Sequence, residues 1–99
     1  MKKEITREKV LKKINLNKEA IKNMGVKSIG LFGSVLKNKQ NNKSDIDLIV
    51  RFDNVSFDNY TELLMLLEKI LKAKIDLITE ASLRPEMSYI KKEAEYARL

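Results

Sequence analysis

Two motifs decide the fold of this chain: the pair Gly33-Ser34, and the run SDIDLIV at residues 44–50. Successive side chains of a β-strand point to opposite faces of the sheet, so a strand through the second motif places Asp45 and Asp47 on one face. Two neighbouring carboxylates repel each other unless a cation lies between them, and a hard cation such as Mg²⁺ prefers oxygen ligands. A Gly-Ser turn beside them offers backbone N–H groups and a hydroxyl to phosphate oxygens. Together the motifs indicate a site for a metal–nucleotide complex.

A third carboxylate, Asp76, lies in the apolar run IDLI at residues 75–78. An acid inside an apolar strand is costly unless it is paired, bound to a metal or placed at the strand end. If this strand lies beside the one through residues 45–50, Asp76 joins Asp45 and Asp47 in one cluster. Three carboxylates can hold two Mg²⁺ ions about 3.5–4 Å apart for in-line nucleotidyl transfer. Asp45 and Asp47 would then bind the triphosphate through one ion. Asp76 would ligate the second ion or accept the proton of the attacking hydroxyl, while Ser34 contacts the triphosphate.

Each of these features also has a plainer explanation when it is taken alone. An Asp-x-Asp pattern arises on any solvated strand face, a Gly-Ser pair is often only a turn, and Asp76 could be a surface residue at a strand edge. The ordered combination of apolar strand, Gly-Ser, polar loop, Asp-x-Asp strand, helix and Asp-bearing strand is more specific. That combination favours the nucleotide site.

The composition narrows the chemistry that this chain can perform. Its 99 residues suffice for one domain, spanning 1–99, with a single core. The sequence contains no cysteine and no histidine, which excludes disulfides, zinc–thiolate sites and imidazole catalysis. It has no apolar run near the ~20 residues of a membrane helix and no signal-peptide pattern, so we expect a cytoplasmic protein. Any reaction then depends on carboxylates, hydroxyls and cations, which favours magnesium-dependent phosphate chemistry.

The chain is basic, with a formal net charge of +6 at pH 7. This charge can attract nucleic acid or the anionic tail of a nucleotide, or it can simply keep the protein soluble. The lysines are scattered over predicted helices, and aromatic residues make up only 6% of the sequence. A platform for single-stranded nucleic acid would interleave basic residues with aromatic residues. A nucleic-acid-binding module therefore rests on charge alone, and no direct contact with nucleic acid is expected.

The spacing of apolar residues predicts three strands that alternate with helices, which is an α/β architecture. The strands are expected over residues 26–32, 45–52 and 73–79. Helices are expected over 7–14, 18–24, from 56 or 58 to 71–72, and 85–94. A brief helix is expected at 35–36, with Gly33-Ser34 at its start. A polar loop is expected over 37–44. The residues predicted to begin or end these helices are Thr6, Asn17, Gly25, Ser56 or Asp58, and Pro85.

The long helix carries more apolar residues than one buried stripe requires. Met65 and Leu66 are candidates for a surface that becomes dry only in a complex with a partner. The alternative is that neighbouring helices of the same chain cover them.

The ordered motifs at residues 31–34, 44–50 and 75–78 resemble a minimal nucleotidyltransferase domain of the DNA polymerase β superfamily. The likeness extends over nearly the whole chain and is greatest to stand-alone antitoxins paired with HEPN-type RNase toxins. It implies a small mixed sheet flanked by helices, with Gly33 and Ser34 at the triphosphate. It also implies that Asp45, Asp47 and Asp76 are the magnesium ligands.

The same resemblance implies a reaction, the transfer of AMP from ATP to a hydroxyl, which in this family can be a tyrosine of the toxin. Two positions depart from the family pattern Gly-Ser-x-x-Arg-Gly, because Lys37 and Asn38 occupy the last two places. Lysine keeps the positive charge that a triphosphate needs but loses the two-pronged contact of arginine. An enzyme that modifies a partner toxin is therefore the leading hypothesis. An antitoxin that neutralises its partner by binding alone is the alternative.

Overall fold

The computed structural model describes residues 6–36, 45–54 and 56–99 of the chain. Their order agrees with the predicted alternation of helices and strands, with three additional short elements near the C-terminus, two 3₁₀ turns and a fourth strand. The helices are α1 (Arg7–Leu16), α2 (Lys18–Asn23), α3 (Gly33–Leu36), α4 (Phe57–Leu71) and α5 (Tyr89–Glu93), and the strands are β1 (Val26–Phe32), β2 (Ile46–Phe52), β3 (Ile75–Thr79) and β4 (Glu95–Tyr96). Two short 3₁₀ turns, Glu80–Ser82 and Pro85–Met87, join β3 to α5.

The four strands form one mixed sheet in the order β3-β2-β1-β4. Strand β1 pairs antiparallel with both β2 and β4, whereas β2 and β3 run parallel. The long helix α4 connects the parallel pair, because parallel neighbours need a crossover rather than a tight turn. This arrangement confirms the predicted α/β fold with a small mixed sheet flanked by helices.

One face of the sheet forms the hydrophobic core with the helices. The strand residues Ile29, Leu31 and Leu48 are fully buried there. Helix α4 contributes three core residues at intervals of four, which places them on one side of the helix; they are Leu63, Leu67 and Leu71. Helices α1, α2 and α3 complete the core with Val10, Ile14, Ile21 and Val35. Burial of this face holds the strands in register.

Two helices begin at the residues that the sequence predicts. The Thr6 side chain accepts a hydrogen bond from the Lys9 backbone N–H at 3.2 Å, at the start of α1. Ser56, rather than Asp58, caps α4 through a reciprocal pair of bonds with Asn59, at 3.1 and 2.7 Å. These side chains satisfy backbone donors that a helix start leaves without partners.

The predicted cap of α2 works differently. Asn17 lies at the start of α2, but its side chain makes no capping bond there and its Nδ2 donates to the Lys13 carbonyl at 2.8 Å. Gly25 follows the end of α2 with a φ of 87°, as expected for a glycine that stops a helix.

The single helix predicted over residues 85–94 is wrong. Pro85 begins only a 3₁₀ turn, and α5 starts later, at Tyr89. The chain then becomes extended and adds β4 to the sheet beside β1, which the sequence did not predict. Pairing with a sheet edge outweighs the weak helical pattern of so short a segment.

Of the two apolar side chains predicted on α4 as candidates for a partner surface, one is exposed in this structure and the other is not. Met65 is 63% exposed, whereas Leu66 is partly buried and packs against the core. Phe57, in the first turn of α4, is 83% exposed and was not predicted. Across the described parts of the chain, every helix is too short or too polar to cross a membrane.

Candidate active site

Gly33 and Asp47 lie against each other at one end of the sheet. Gly33 follows β1 and opens α3 with a φ of 78°, a region that side chains with a Cβ rarely adopt. Its neighbour Phe32 pairs with Asp47 on β2. A Cβ at Gly33 would overlap the Asp47 carboxylate and would come within 2.9 Å of its Cγ. Glycine is therefore needed at this position both for the turn and for the close approach of the carboxylate.

Asp47 and Asp76 are level with each other on parallel strands. The register of β2 and β3 pairs Asp47 with Asp76, Ile46 with Ile75 and so on along the strands. Neighbouring strands lie about 4.8 Å apart, so two side chains in register share one face and a short separation. Asp47 is half-buried and Asp76 is exposed. The expectation that the third strand lies beside the second is thereby confirmed.

Asp45 immediately precedes β2 and is half-buried. It is two residues before Asp47, which by strand alternation assigns it to the same side of the sheet. Within residues 6–36, 45–54 and 56–99, however, no three acidic side chains are grouped so that they could hold a metal ion. The donor types and the register of Asp47 and Asp76 suit a hard cation such as Mg²⁺. Their convergence with Asp45 as three ligands stays a prediction.

Tyr96 of the C-terminal segment lies over the middle of this face of the sheet. Tyr96 of β4 pairs with Gly30 of β1, and a Cβ on Gly30 would come within 2.9 Å of the Tyr96 ring. Ile49, which pairs with Gly30 from the other side, is buried although it lies outside the main core. Burial raises the pKa of Tyr96, and the charge of Glu80 raises it further, while Arg51 acts in the opposite direction. The C-terminal segment thus contributes to burial at the middle of this face, around Gly30.

Two predicted site residues, Ser34 and Lys37, lie at the edge of the described residues or beyond it. Ser34 lies in α3 next to Gly33, but the contacts of its side chain are outside the described part of the structure. Lys37 and Asn38 are also outside the described residues. The proposed contacts of Ser34 and Lys37 with a triphosphate therefore remain predictions.

The family follows from a comparison with known sequences. The sequence profile described as "Polymerase beta, Nucleotidyltransferase" matches residues 5–94. The chain belongs to the polymerase β nucleotidyltransferase family. Its small mixed sheet is thus that of a nucleotidyltransferase domain, as the resemblance implied.

Two relatives of this nucleotidyltransferase carry names that specify a reaction. A Methanocaldococcus jannaschii protein assigned as protein adenylyltransferase MJ1379 is 49% identical over 73 residues, which cover 71% of this chain and 71% of that protein. Protein adenylyltransferase MntA of Thermococcus cleftensis is 35% identical over 68 residues, which cover 68% of this chain and 69% of that protein.

Solved structures share the fold of this nucleotidyltransferase. One assigned as a minimal nucleotidyltransferase superposes with a TM-score of 0.71 at 26% identity, covering 86% of this chain and 93% of that chain. Another describes a tri-AMPylated Shewanella oneidensis HEPN toxin in complex with an MNT antitoxin; its TM-score is 0.53 at 21% identity, covering 82% of this chain and 68% of that chain. The second likeness shows the fold alone.

Proposed function

We propose that this nucleotidyltransferase is an antitoxin that transfers AMP from ATP to a hydroxyl, most simply a tyrosine, of a partner HEPN-type RNase toxin. The single observation that carries the catalytic part is the glycine–carboxylate contact between Gly33 and Asp47, with Asp76 level with Asp47 on β3. The names of the protein adenylyltransferase relatives support the choice of reaction. The partner class rests on the antitoxin of similar fold that was solved with a HEPN toxin.

The proposed reaction assigns a separate task to each part of the site. The acceptor oxygen forms a bond to the α-phosphorus of ATP, the bond from that phosphorus towards the β-phosphate breaks, and pyrophosphate leaves. Asp76 is the proposed acceptor of the hydroxyl proton, because its exposed carboxylate can be reached from solvent. Gly33, Ser34 and Lys37 are the proposed contacts of the triphosphate; the absence of a side chain at Gly33 leaves its backbone accessible.

Asp45, Asp47 and Asp76 would hold Mg²⁺, with two ions expected. When bound, Mg²⁺ neutralises phosphate charge and lowers the pKa of an attacking hydroxyl. The protein's own contribution is to keep the carboxylates on one face, at one end of the sheet. Because Asp47 is half-buried against backbone, its position is constrained more tightly than that of exposed Asp76.

Two exposed apolar side chains on α4 support a protein partner. Phe57 is 83% exposed and Met65 is 63% exposed. Large apolar side chains contribute strongly to binding when a partner removes them from water. They are the proposed anchors of the complex.

A second candidate function is an antitoxin that neutralises its partner by binding alone. Two observations favour it. Lysine and asparagine stand at 37 and 38 where the family pattern has Arg-Gly, and no three carboxylates of the described residues are grouped around a metal position. The two candidates differ in one measurable product, because only the enzyme leaves AMP covalently attached to the partner.

The test combines ATP binding with mass spectrometry of the partner. The double variant Asp45→Asn/Asp47→Asn should lose magnesium-dependent ATP binding in calorimetry while the fold stays intact or becomes slightly more stable, because mutual repulsion is removed. The wild-type chain, co-expressed with the product of the neighbouring reading frame, should add an AMP mass to it. Asp76→Asn should abolish that addition. Asp58→Asn, the same change in an exposed residue of α4, should leave binding and transfer unchanged.

The possible outcomes separate the hypotheses. Unchanged ATP affinity and magnesium dependence in the double variant would overturn the assignment of the carboxylates. A tight complex without AMP addition would favour the antitoxin that acts by binding. If neither complex nor modification is found, the proposed function is wrong and the family assignment alone is left.

A further inference from the structure

Tyr60 links helix α4 to the outer strand of the sheet. Its hydroxyl donates a hydrogen bond to the backbone carbonyl of Leu77 on β3, and its side chain is partly buried against the core. Leu77 directly follows Asp76 in the chain. The bond therefore fixes the backbone of the residue adjacent to a proposed catalytic carboxylate.

The Leu77 carbonyl points away from the sheet. The Ile46 N–H of β2 donates to the Lys74 carbonyl at 3.0 Å, so the carbonyl of residue 74 faces β2. Carbonyl direction alternates along a strand, and Leu77, three residues later, faces the opposite side. Strand β3 is at the edge of the sheet, and none of the described strands pairs with its outer side. Tyr60 supplies the donor that a neighbouring strand would otherwise supply.

We propose that Tyr60 is a positioning residue for the adenylyl transfer: it holds the edge strand so that Asp76 stays level with Asp47. This inference rests on the proposed function. An edge strand is restrained by pairing on one side only, so β3 depends more on such a bond than β2, which is paired on both sides. Asp47 is restrained by strand pairing and also by its contact with the Gly33 backbone. For Asp76, the hydrogen bond from Tyr60 to the adjacent Leu77 carbonyl supplies a comparable additional restraint.

The electrostatics agree with this role. Burial raises the pKa of Tyr60, and the nearby negative charge of Asp76 raises it further. The hydroxyl is therefore protonated at neutral pH and available as a donor.

The experiment removes the hydroxyl and keeps the ring. Mn²⁺ is titrated into wild type and Tyr60→Phe, free Mn²⁺ is measured by electron paramagnetic resonance, and AMP transfer to the partner is measured in parallel. Loss of a group that orients a metal ligand typically lowers metal affinity or activity about 10-fold or more. We expect a roughly 10-fold loss in Mn²⁺ affinity and in kcat, with KM for ATP nearly unchanged. Tyr89→Phe is the matched control, because Tyr89 is 54% exposed, and it should change neither quantity.

A double-variant cycle tests whether Tyr60 acts through Asp76. In the Asp76→Asn background, Tyr60→Phe should cause little further loss of Mn²⁺ affinity, since the ligand that Tyr60 positions is already altered. A merely structural role predicts instead that the two losses are additive. Thermal melting of each variant identifies any loss that arises from unfolding.

The two arms distinguish failure of this inference from failure of the proposed function. Wild type that binds Mn²⁺ but transfers no AMP would overturn the proposed function, while the affinity of Tyr60→Phe still decides the role of Tyr60. Unchanged affinity in Tyr60→Phe, or additive losses in the cycle, would overturn the positioning role alone. Wild type that binds no Mn²⁺ would overturn both, because Asp76 would then not be a metal ligand.

Discussion

The two faces of strand β2 differ in almost every respect. On the side towards the helices, Ile46, Leu48 and Val50 are each 0% exposed. On the opposite side, Asp47 is half-buried and Arg51 is exposed, with the buried Ile49 between them. The same seven-residue strand thus stabilises the domain with one set of side chains and presents charged groups with the other. Substitution of a residue that faces the helices should therefore affect stability, and substitution of Asp47 on the other face should affect binding and transfer.

The largest expected loss of stability is on the covered face. Leu48→Ala removes a fully buried side chain and leaves a cavity, which typically costs 2–5 kcal/mol in the free energy of unfolding, so we expect about 3 kcal/mol. Urea denaturation followed by circular dichroism measures it. Asp47→Asn, one residue away but on the other face, should lose metal-dependent ATP binding without a comparable loss of stability. Equal destabilisation by the two variants would contradict the division between the faces.

A smaller loss of stability, combined with loss of the site, is expected for Gly33→Ala. The left-handed backbone costs about 1–2 kcal/mol for a residue with a Cβ, and the new methyl group also overlaps the Asp47 carboxylate. Magnesium-dependent ATP binding, measured by calorimetry, should fall sharply because Asp47 is displaced.

Gly25→Ala is the matched control for this variant. Gly25 has a similar φ of 87°, but a Cβ there would meet only the Asn59 Nδ2, at 3.9 Å. It should therefore show the cost of the backbone conformation alone and retain ATP binding. If both variants bind ATP equally well, contact between Gly33 and Asp47 is not part of the site.

The smallest expected effect is on the pH dependence of stability, through Tyr96 of the C-terminal segment. The pKa of Tyr96 lies above its ordinary value of about 10 because burial and then the charge of Glu80 disfavour the phenolate. The folded state therefore holds this proton more tightly than the unfolded state. Its contribution to stability is complete below pH ~10 and is lost as the pH rises through the pKa of the folded state.

Tyr96→Phe should accordingly weaken the decline of stability in alkaline solution. Urea midpoints of wild type and variant, compared at neutral pH and above pH ~10, measure the difference. The variant should show the flatter dependence, with Tyr89→Phe as the control. An identical alkaline decline in wild type and Tyr96→Phe would show that the Tyr96 proton is not linked to folding.

Local patterns explain why much of the fold was predictable. The extent of β1 was predicted residue for residue, and β2 to within one residue, because apolar runs bounded by Gly33 and by polar loops have few alternatives. Thr6 and Ser56 were identified as helix starts from side chains that bond to backbone within three residues. The C-terminal region failed for the opposite reason, since its structure depends on the distant β1 edge.

The sequence by itself determined which side chains share a face and which chemistry is available. The period of two assigns Asp45 and Asp47 to one side of their strand, and the absence of histidine and cysteine leaves carboxylates, hydroxyls and cations for any reaction. Both results depend only on neighbours in the chain or on composition.

Only the tertiary structure decided how these groups are assembled. It placed β3 parallel to β2 with Asp76 level with Asp47, brought the Tyr60 hydroxyl to a carbonyl 17 residues away, and laid Tyr96 over Gly30. Strand order, strand register and the contacts made at the sheet edges follow from the packing of elements far apart in the chain. Loop closure and burial of the whole core set these contacts, and no local pattern of residues encodes them.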